Sequence, residues 1–345
     1  MEGDFLFRQG GGFQQAPARA NDRDADRVFE GPGIIVPPFF DTHLHGGWGR
    51  EFLTADDFAF LEKKLKSHGI GRAIPTYLNV HWENLAGIAS QFRRYRRESG
   101  SGFFPFLRCE SPFINPEMRG YQSADAVYPA TRREIAKLPS LSRELKMITI
   151  APEMPGSQRL IRAALASGIM VSLGHSRARF AEFVRFRDLG IRHFTHFAIR
   201  LSPLHHRELG MVGAGLFFKD TFLEIIGDGG HTADEFVELV FRWRHGRDLA
   251  LVSDTHPMAG LGGEALSRHG LIREGKVLKT GSGLIAGGET LLPEQIRRLS
   301  RNTAIPLAQL LAAASVNPYR FFGIRPGRGS FLALDANLRP LLAHP

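Results

Sequence analysis

Eight short apolar runs, rich in β-branched or aromatic residues, alternate along this chain with longer stretches of helical period, and that alternation restricts the fold more than any other feature. It is the pattern of a parallel sheet with helices packed outside it. The runs are Ile34–Phe40, Ala73–Leu78, Phe104–Cys109, Met147–Ala151, Met170–Leu173, Arg192–Thr195, Phe222–Ile226 and Leu249–Ser253. Between the fourth and fifth, Leu160, Ile161, Ala164 and Leu165 recur at helical spacing after Pro155-Gly156-Ser157, and Gly168 stands where a helix would stop. One βαβ unit can thus be read directly. Eight strands in series predict an α/β fold, a (β/α)8 TIM barrel, and 345 residues are enough for one such barrel with small accessory structure. The barrel is expected over residues 34–322. Residues 1–33 are Gly-, Gln- and charge-rich with little periodicity and read as a partly irregular accessory segment. Residues 323–345 hold one plausible strand, so the termini are expected to supply a small, truncated accessory β layer.

The chain carries no apolar run of about 18 residues, and its start lacks the basic-then-apolar pattern of a signal peptide. No membrane association is therefore expected, and the cytoplasm is the expected location. A single cysteine, Cys109, allows no intramolecular disulfide and cannot form a thiolate zinc cluster alone; it reads as a packing residue. The formal charge of +9 raises the question of nucleic acid. The cations are dispersed, however, and the densest group, Arg93 to Arg97 in FRRYRRE, alternates with apolar residues as an exposed helix face does. No nucleic-acid partner is expected; a positive field would instead draw in an anionic small molecule.

The polar residues that interrupt this pattern fall mostly at the C-terminal ends of the runs, where barrel enzymes build their sites. Asp41, His43 and His45 close the first run, Glu110 the third, His175 the fifth, His196 the sixth and Asp254 the eighth. His43 and His45, two apart on an extended strand, project to one side and can grip one cation. Singly, each residue also has an ordinary reading: histidines satisfied in a core, a paired glutamate at 110, a helix cap at 254. Together, four histidines and one carboxylate form a nitrogen and oxygen donor set suited to a divalent metal, zinc foremost, with iron or manganese as alternatives. Asp254 is not needed in that shell and is free to carry protons in metal-assisted hydrolysis.

From Ile34 to Phe322 the chain resembles the N-acetylglucosamine-6-phosphate deacetylases of the amidohydrolase superfamily. The matching stretches run in order: PPFFDTHLHGG, GIGRAIPTYL, ESPFINPEMRG, ITIAPE, VSLGHS, THFAIRLSPLHHRELGMVGAGL, EIIGDGGH, LVSDTHPMAGLGG and ASVNPYRFFGI. The resemblance implies that Glu110, His175 and His196 hold the principal metal and that His43 and His45 can hold a second. It implies that Asp254 is the general base and acid, that Arg207 grips the substrate phosphate, and that His231 contacts the sugar phosphate. It also implies removal of an N-acetyl group from an amino-sugar phosphate, N-acetylglucosamine 6-phosphate foremost, and a homodimer as the assembly.

Departures from the family pattern gather on the substrate side. The glycine of its E-G-P-F motif is Ser111 here, Gln122 stands where a histidine usually polarises the amide carbonyl, Ile199-Arg200 replace an Asn-Ala pair that contacts substrate, and Thr255-His256 occupy a normally small loop position. Without that histidine, polarisation falls to the second metal or to Gln122 as a donor. Arg200 adds a cation that suits a ligand with a further carboxylate or phosphate. Two alternatives therefore stand beside the leading expectation: the same chemistry on another anionic N-acyl substrate, or a catalytically silent sugar-phosphate-binding homologue.

Overall fold

The protein is described from a computed structural model that covers residues 5–8, 12–15, 33–327 and 330–344. Eight parallel strands lie side by side in chain order: β1 Phe39–Leu44, β2 Ile70–Tyr77, β3 Leu107–Glu110, β4 Leu145–Ile150, β5 Met170–Leu173, β6 His193–Phe194, β7 Phe222–Ile226 and β8 Leu249–Val252. Helices intervene between successive strands, among them Ala55–Lys66, Leu85–Ser99, Ser157–Ala166 and Asp234–Arg244. The seam between β1 and β8 is closed just beyond the ladder. Asp254 N–H donates to the His43 carbonyl at 2.9 Å, and Ser253 N–H donates to Asp41 Oδ1 at 3.1 Å. Asp41, legible in the sequence as a suspicious polar residue, is thus used to close the barrel; burial pushes its carboxyl up to about 7.

The expected strands hold with small changes of bounds, save one. The run Ile34–Phe40 divides at Pro37-Pro38, where two residues without N–H donors interrupt any ladder. Ile34–Val36 pairs antiparallel with Phe331–Leu334, which pairs in turn with Pro340–His344, while Phe39–Leu44 becomes the first barrel strand. The C-terminal segment therefore contributes two strands rather than one. A second antiparallel sheet, Leu271–Glu274, Val277–Thr280 and Ile285–Gly288, follows β8 and was not anticipated. Of the N-terminal segment only two short antiparallel strands, Phe5–Arg8 and Gly12–Gln15, are described; the rest of the irregular stretch expected there lies outside the described residues.

Helix Ala55–Lys66 shows how local sequence places these elements. Thr54 and Asp57 form a reciprocal capping box, Lys63, Lys64 and Lys66 lie in the last turn, and Phe58, Leu61 and Leu65 turn inward. On helix Leu85–Ser99 the inward residues are Ile88, Phe92 and Tyr95, and Arg93, Arg94, Arg96 and Arg97 are exposed, as the alternation predicts. Phe58, Phe92, Tyr95 and Phe104 pack ring to ring between these helices and the barrel. Ser157–Ala166 ends where Gly168, at φ 71°, turns the chain back into β5. Cys109 is fully buried, with its thiol pushed well up by that burial, in keeping with a packing role.

The barrel centre departs from the usual layers of branched apolar side chains. Arg108 of β3 and Glu224 of β7, both fully buried, pair there at 2.6 and 2.8 Å. Arg108 also donates to the Thr42 carbonyl and to Thr195 Oγ1, each at 2.9 Å, and Thr42 Oγ1 donates to Glu224 at 2.6 Å. A polar plug therefore lies directly beneath the C-terminal mouth.

Candidate active site and metal centre

The strand ends bring together every proposed metal ligand. Two groups of three form, His43 with His45 and Asp254, and Glu110 with His175 and His196, and within each group the ligand atoms lie within 4.8 Å of one another. His43 joins the groups: its Nε2 is 3.3 Å from Asp254 Oδ1 and 3.5 Å from Glu110 Oε1. A cavity of about 460 Å³ opens over them, lined in addition by Gln122, Ile199, Arg200 and His231.

Hydrogen bonding fixes which imidazole nitrogens face the site. His175 Nδ1 lies 2.7 Å from the Met118 carbonyl and His45 Nδ1 lies 3.0 Å from the Thr76 carbonyl. A carbonyl can only accept, so each Nδ1 carries a proton and each ring turns its Nε2 inward. Those nitrogens converge: His175 Nε2 is 3.1 Å from His196 Nε2 and 3.3 Å from the Gln122 amide nitrogen, His196 Nε2 is 2.9 Å from Glu110 Oε1, and His45 Nε2 is 3.0 Å from Asp254 Oδ1. Convergent acceptors repel unless a cation or an extra proton lies among them, and the donor set fits a divalent ion such as zinc. The charges respond accordingly. Burial alone would raise the Glu110 carboxyl and lower the His196 imidazole, but His175 and then His196 hold Glu110 well below its ordinary range, and Glu110 holds His196 above its own. Asp254 is likewise held low against burial by His45 and His43. His43, fully buried and beside the Arg108 charge, is lowered to about 4 and is a neutral donor at physiological pH.

Backbone strain marks the same positions. His175, His196 and Asp254 adopt φ of 49°, 27° and 48°, in the left-handed region that costs a side-chain-bearing residue about 1–3 kcal/mol. Each follows an apolar strand that must turn sharply at the barrel mouth. Gly174 makes the turn into His175 feasible, because a Cβ there would approach Thr149 Cγ2 to 2.7 Å and Thr195 Cβ to 2.9 Å.

The substrate-side residues divide. His231 lines the cavity with its Nδ1 held by Asp228 Oδ2 at 2.7 Å, which leaves Nε2 3.7 Å from Asp254 Oδ2. Ile199 and Arg200 line it as expected. Gln122 lines it too, but its amide is engaged: Nε2 donates to Glu110 Oε2 at 2.9 Å and Oε1 accepts from Asn79 N–H at 3.2 Å. The expectation that Gln122 replaces the carbonyl-polarising histidine meets an amide already committed to holding Glu110. Arg207 is exposed, with Nη1 3.2 Å from His206 Nε2, and is not among the cavity-lining residues. Ser111 turns its hydroxyl to the Thr149 carbonyl at 2.6 Å, away from the cavity. His256 is buried against the ring of Tyr121, which lines the cavity, centroids 5.6 Å apart.

Four contributors were not foreseen. Asp228 was detectable as an acid at the end of β7, three residues before His231. Arg108 and Glu224 were detectable as charges inside apolar strands, which are costly unless paired. Arg119, which lines the cavity, is an ordinary loop arginine in the sequence.

No family model matches the chain. It is similar to the N-acetylgalactosamine-6-phosphate deacetylase of Escherichia coli O157:H7, 28% identical over 93% of this chain and 87% of that protein. It is 30% identical to the human N-acetylglucosamine-6-phosphate deacetylase over 89% of this chain and 81% of the relative. The solved structure of the Thermotoga maritima N-acetylglucosamine-6-phosphate deacetylase superposes with a TM-score of 0.81 at 30% identity, covering 92% of this chain and 89% of that one. The Mycobacterium smegmatis deacetylase reaches a TM-score of 0.85 at 24% identity, a likeness of fold.

Proposed function

This chain belongs to the N-acetylglucosamine-6-phosphate deacetylase family, and on that premise we propose that it hydrolyses the N-acetyl amide of an amino-sugar phosphate, releasing acetate and the free amine. The observation that carries the proposal is the meeting of inward Nε2 atoms and carboxylates at the barrel mouth, with Asp254 among them. In this reading Glu110, His175 and His196 would hold one divalent ion, and His43 and His45 would hold a second. A divalent ion of this kind supplies Lewis-acid activation of water and of the amide carbonyl.

The chain's own residues supply the rest. Asp254, charged at neutral pH, takes a proton from the attacking water as the carbon–oxygen bond forms. It then gives that proton to the amide nitrogen, so that the carbon–nitrogen bond breaks with a neutral amine leaving. His231, fixed by Asp228, turns Nε2 toward Asp254 and the cavity and is positioned to bind a sugar hydroxyl or phosphate oxygen. Gln122 acts through Glu110 as a positioning residue. Ile199 and Phe236 give the cavity its apolar wall. Among the described residues no helix is long and apolar enough to cross a membrane. A charged sugar phosphate does not cross membranes unaided, and this reading places the enzyme with its substrate in the cytoplasm.

The test is acetate release from N-acetylglucosamine 6-phosphate and N-acetylgalactosamine 6-phosphate, with zinc and with a chelator in parallel, by the wild-type protein and Asp254→Asn. Release should be chelator-sensitive, and the variant should lose roughly 10²- to 10⁴-fold in kcat while still binding metal. An Asp254→Asn protein that turns over normally would remove Asp254 from the mechanism. No release from folded, metal-loaded wild type would remove the activity.

A further inference from the structure

We propose that Tyr121 is a stacking platform for the hexose ring of the substrate, braced by His256, and that it sets how tightly this chain holds the sugar. The assignment rests on the reading of the cavity as the site of an amino-sugar phosphate, and it names a contact for the faces of the ring, which the metal ligands, Asp254 and His231 leave unassigned.

Tyr121 lines the cavity that also exposes Glu110, His175, His196 and Asp254. It is 38% exposed, and among the described residues its hydroxyl makes no hydrogen bond. The backbone holds it there. Gly120, at φ 62°, turns the chain, and Gln122 N–H closes that turn on the Arg119 carbonyl at 3.2 Å. The Gln122 side chain is then pinned at both ends, to Glu110 Oε2 and to Asn79 N–H. Tyr121 is therefore next in sequence to the residue that holds a proposed metal ligand, with its own side chain left to face the cavity.

A lone aromatic ring on an outer surface is ordinary, whereas one uncovered in the wall of a reaction cavity offers a ligand its apolar face. The ring of His256 meets Tyr121 at 5.6 Å between centroids and 66° between planes, an edge-on contact. His256 is itself buried and fixed: its N–H donates to the Gly288 carbonyl and its Nδ1 accepts from Met258 N–H, both at 3.0 Å. The loops after β3 and β8 thus meet ring to ring in the cavity wall. The amide to be cleaved hangs directly on a hexose, so an amide held at the metal ligands brings the hexose beside this wall. A hexose presents C–H groups on its faces and hydroxyls around its rim, and an aromatic face takes the C–H groups. The other apolar lining suits them less: Ile199 and Ile285 have no π face, and Phe236 already stacks on Phe197.

Calorimetric binding of glucosamine 6-phosphate and of 2-aminoethyl phosphate, which keeps the amine and the phosphate and lacks the ring, to the full-length, zinc-loaded protein tests the platform without requiring turnover. The readout is the ratio of the two affinities in wild type, Tyr121→Phe and Tyr121→Leu. Wild type and Tyr121→Phe should prefer the hexose. Tyr121→Leu, which keeps apolar bulk without the aromatic face, should lose roughly 3- to 10-fold of that preference, the scale of an aromatic contact. Binding of 2-aminoethyl phosphate should be unchanged in both variants. Tyr121→Trp gives a second reading: its emission, taken as the difference from wild type, should shift with glucosamine 6-phosphate and not with 2-aminoethyl phosphate. A preference that survives Tyr121→Leu overturns the platform. So does a loss as large in Tyr121→Phe, which would assign the contact to the hydroxyl, or an equal weakening of both ligands, which would place Tyr121 at the amine or the phosphate. Acetate release measured on the same proteins separates the two claims: release with a preference indifferent to Tyr121 keeps the deacetylase and sinks the platform, and a Tyr121-dependent preference without release does the reverse.

Discussion

Replacing Arg108 with methionine isolates the polar plug beneath the site. Arg108 is fully buried and makes four hydrogen bonds, two of them to Glu224, whose carboxyl burial would raise but Arg108 holds well below the ordinary range. In the variant Glu224 keeps the Thr42 hydroxyl at 2.6 Å but loses its counter-charge in the barrel centre. Breaking a buried ion pair from one side costs about 3–5 kcal/mol, and at about 2 °C per kcal/mol for a large domain the Tm should fall by roughly 6–10 °C. Arg108→Met/Glu224→Leu should recover most of that loss, because apolar side chains of similar volume replace a buried pair at little cost. Recovery of stability should not bring recovery of function. Glu224 Oε2 lies 3.5 Å from His43 Nδ1 and is the group that keeps the other nitrogen of that ring turned toward Asp254 and Glu110. The double variant should therefore melt near wild type and hold a metal ion at His43 and His45 more weakly. Thermal unfolding by circular dichroism, with metal content by elemental analysis, reads both. A single variant as stable as wild type, or a double variant no more stable than the single, would falsify the reasoning.

Gln122→Ala removes the amide that spans Asn79 N–H and Glu110 Oε2; metal affinity should drop roughly 10- to 100-fold, as for other partners of ligating carboxylates, and a loss of turnover at full metal occupancy would show instead that Gln122 touches substrate. Glu208 accepts from Phe180 N–H, Arg179 and Gly210 N–H, which together lower its carboxyl to about 2. Its folded value lies below the unfolded one of about 4.3, so its contribution is present above that pH and lost as the pH falls toward 2. The Tm deficit of Glu208→Gln should thus be constant near neutrality and shrink between about pH 4 and pH 2; a deficit that grows on acidification would contradict it.

The fold was legible because the barrel is written as alternation, and alternation survives without tertiary knowledge. Met170–Leu173 and Phe222–Ile226 were readable to the residue, since each is a compact, mostly apolar run stopped by a glycine, Gly174 and Gly227. Ile34–Phe40 was not: an apolar run reads as one strand until the prolines at 37 and 38 are given their full weight. The sheet formed by Leu271–Glu274, Val277–Thr280 and Ile285–Gly288 also escaped, although Gly275, at φ 60°, marks its first turn. Those strands are short and partly exposed, and they carry Arg273, Glu274 and Lys279 where a buried strand would be apolar.

The site divides along the same physical line. A histidine or carboxylate that stops an apolar strand is visible from its neighbours alone, and His43, His45, Glu110, His175, His196 and Asp254 were all found that way. What orients them is not visible. The Met118 and Thr76 carbonyls that fix two tautomers belong to the backbone, and any residue type would offer them. The Arg108–Glu224 pair joins strands 116 residues apart. Orientation decides function here, because rings flipped to present Nδ1 inward would have nothing to hold them. With those carbonyls in place the rings have one arrangement, and their Nε2 atoms converge on the carboxylates whether or not a cation is bound. The barrel therefore bears the left-handed backbone at three strand ends and the buried pair beneath as standing costs, and a bound cation would draw on the donors those costs hold in place. Metal loading should accordingly raise the stability of the whole barrel.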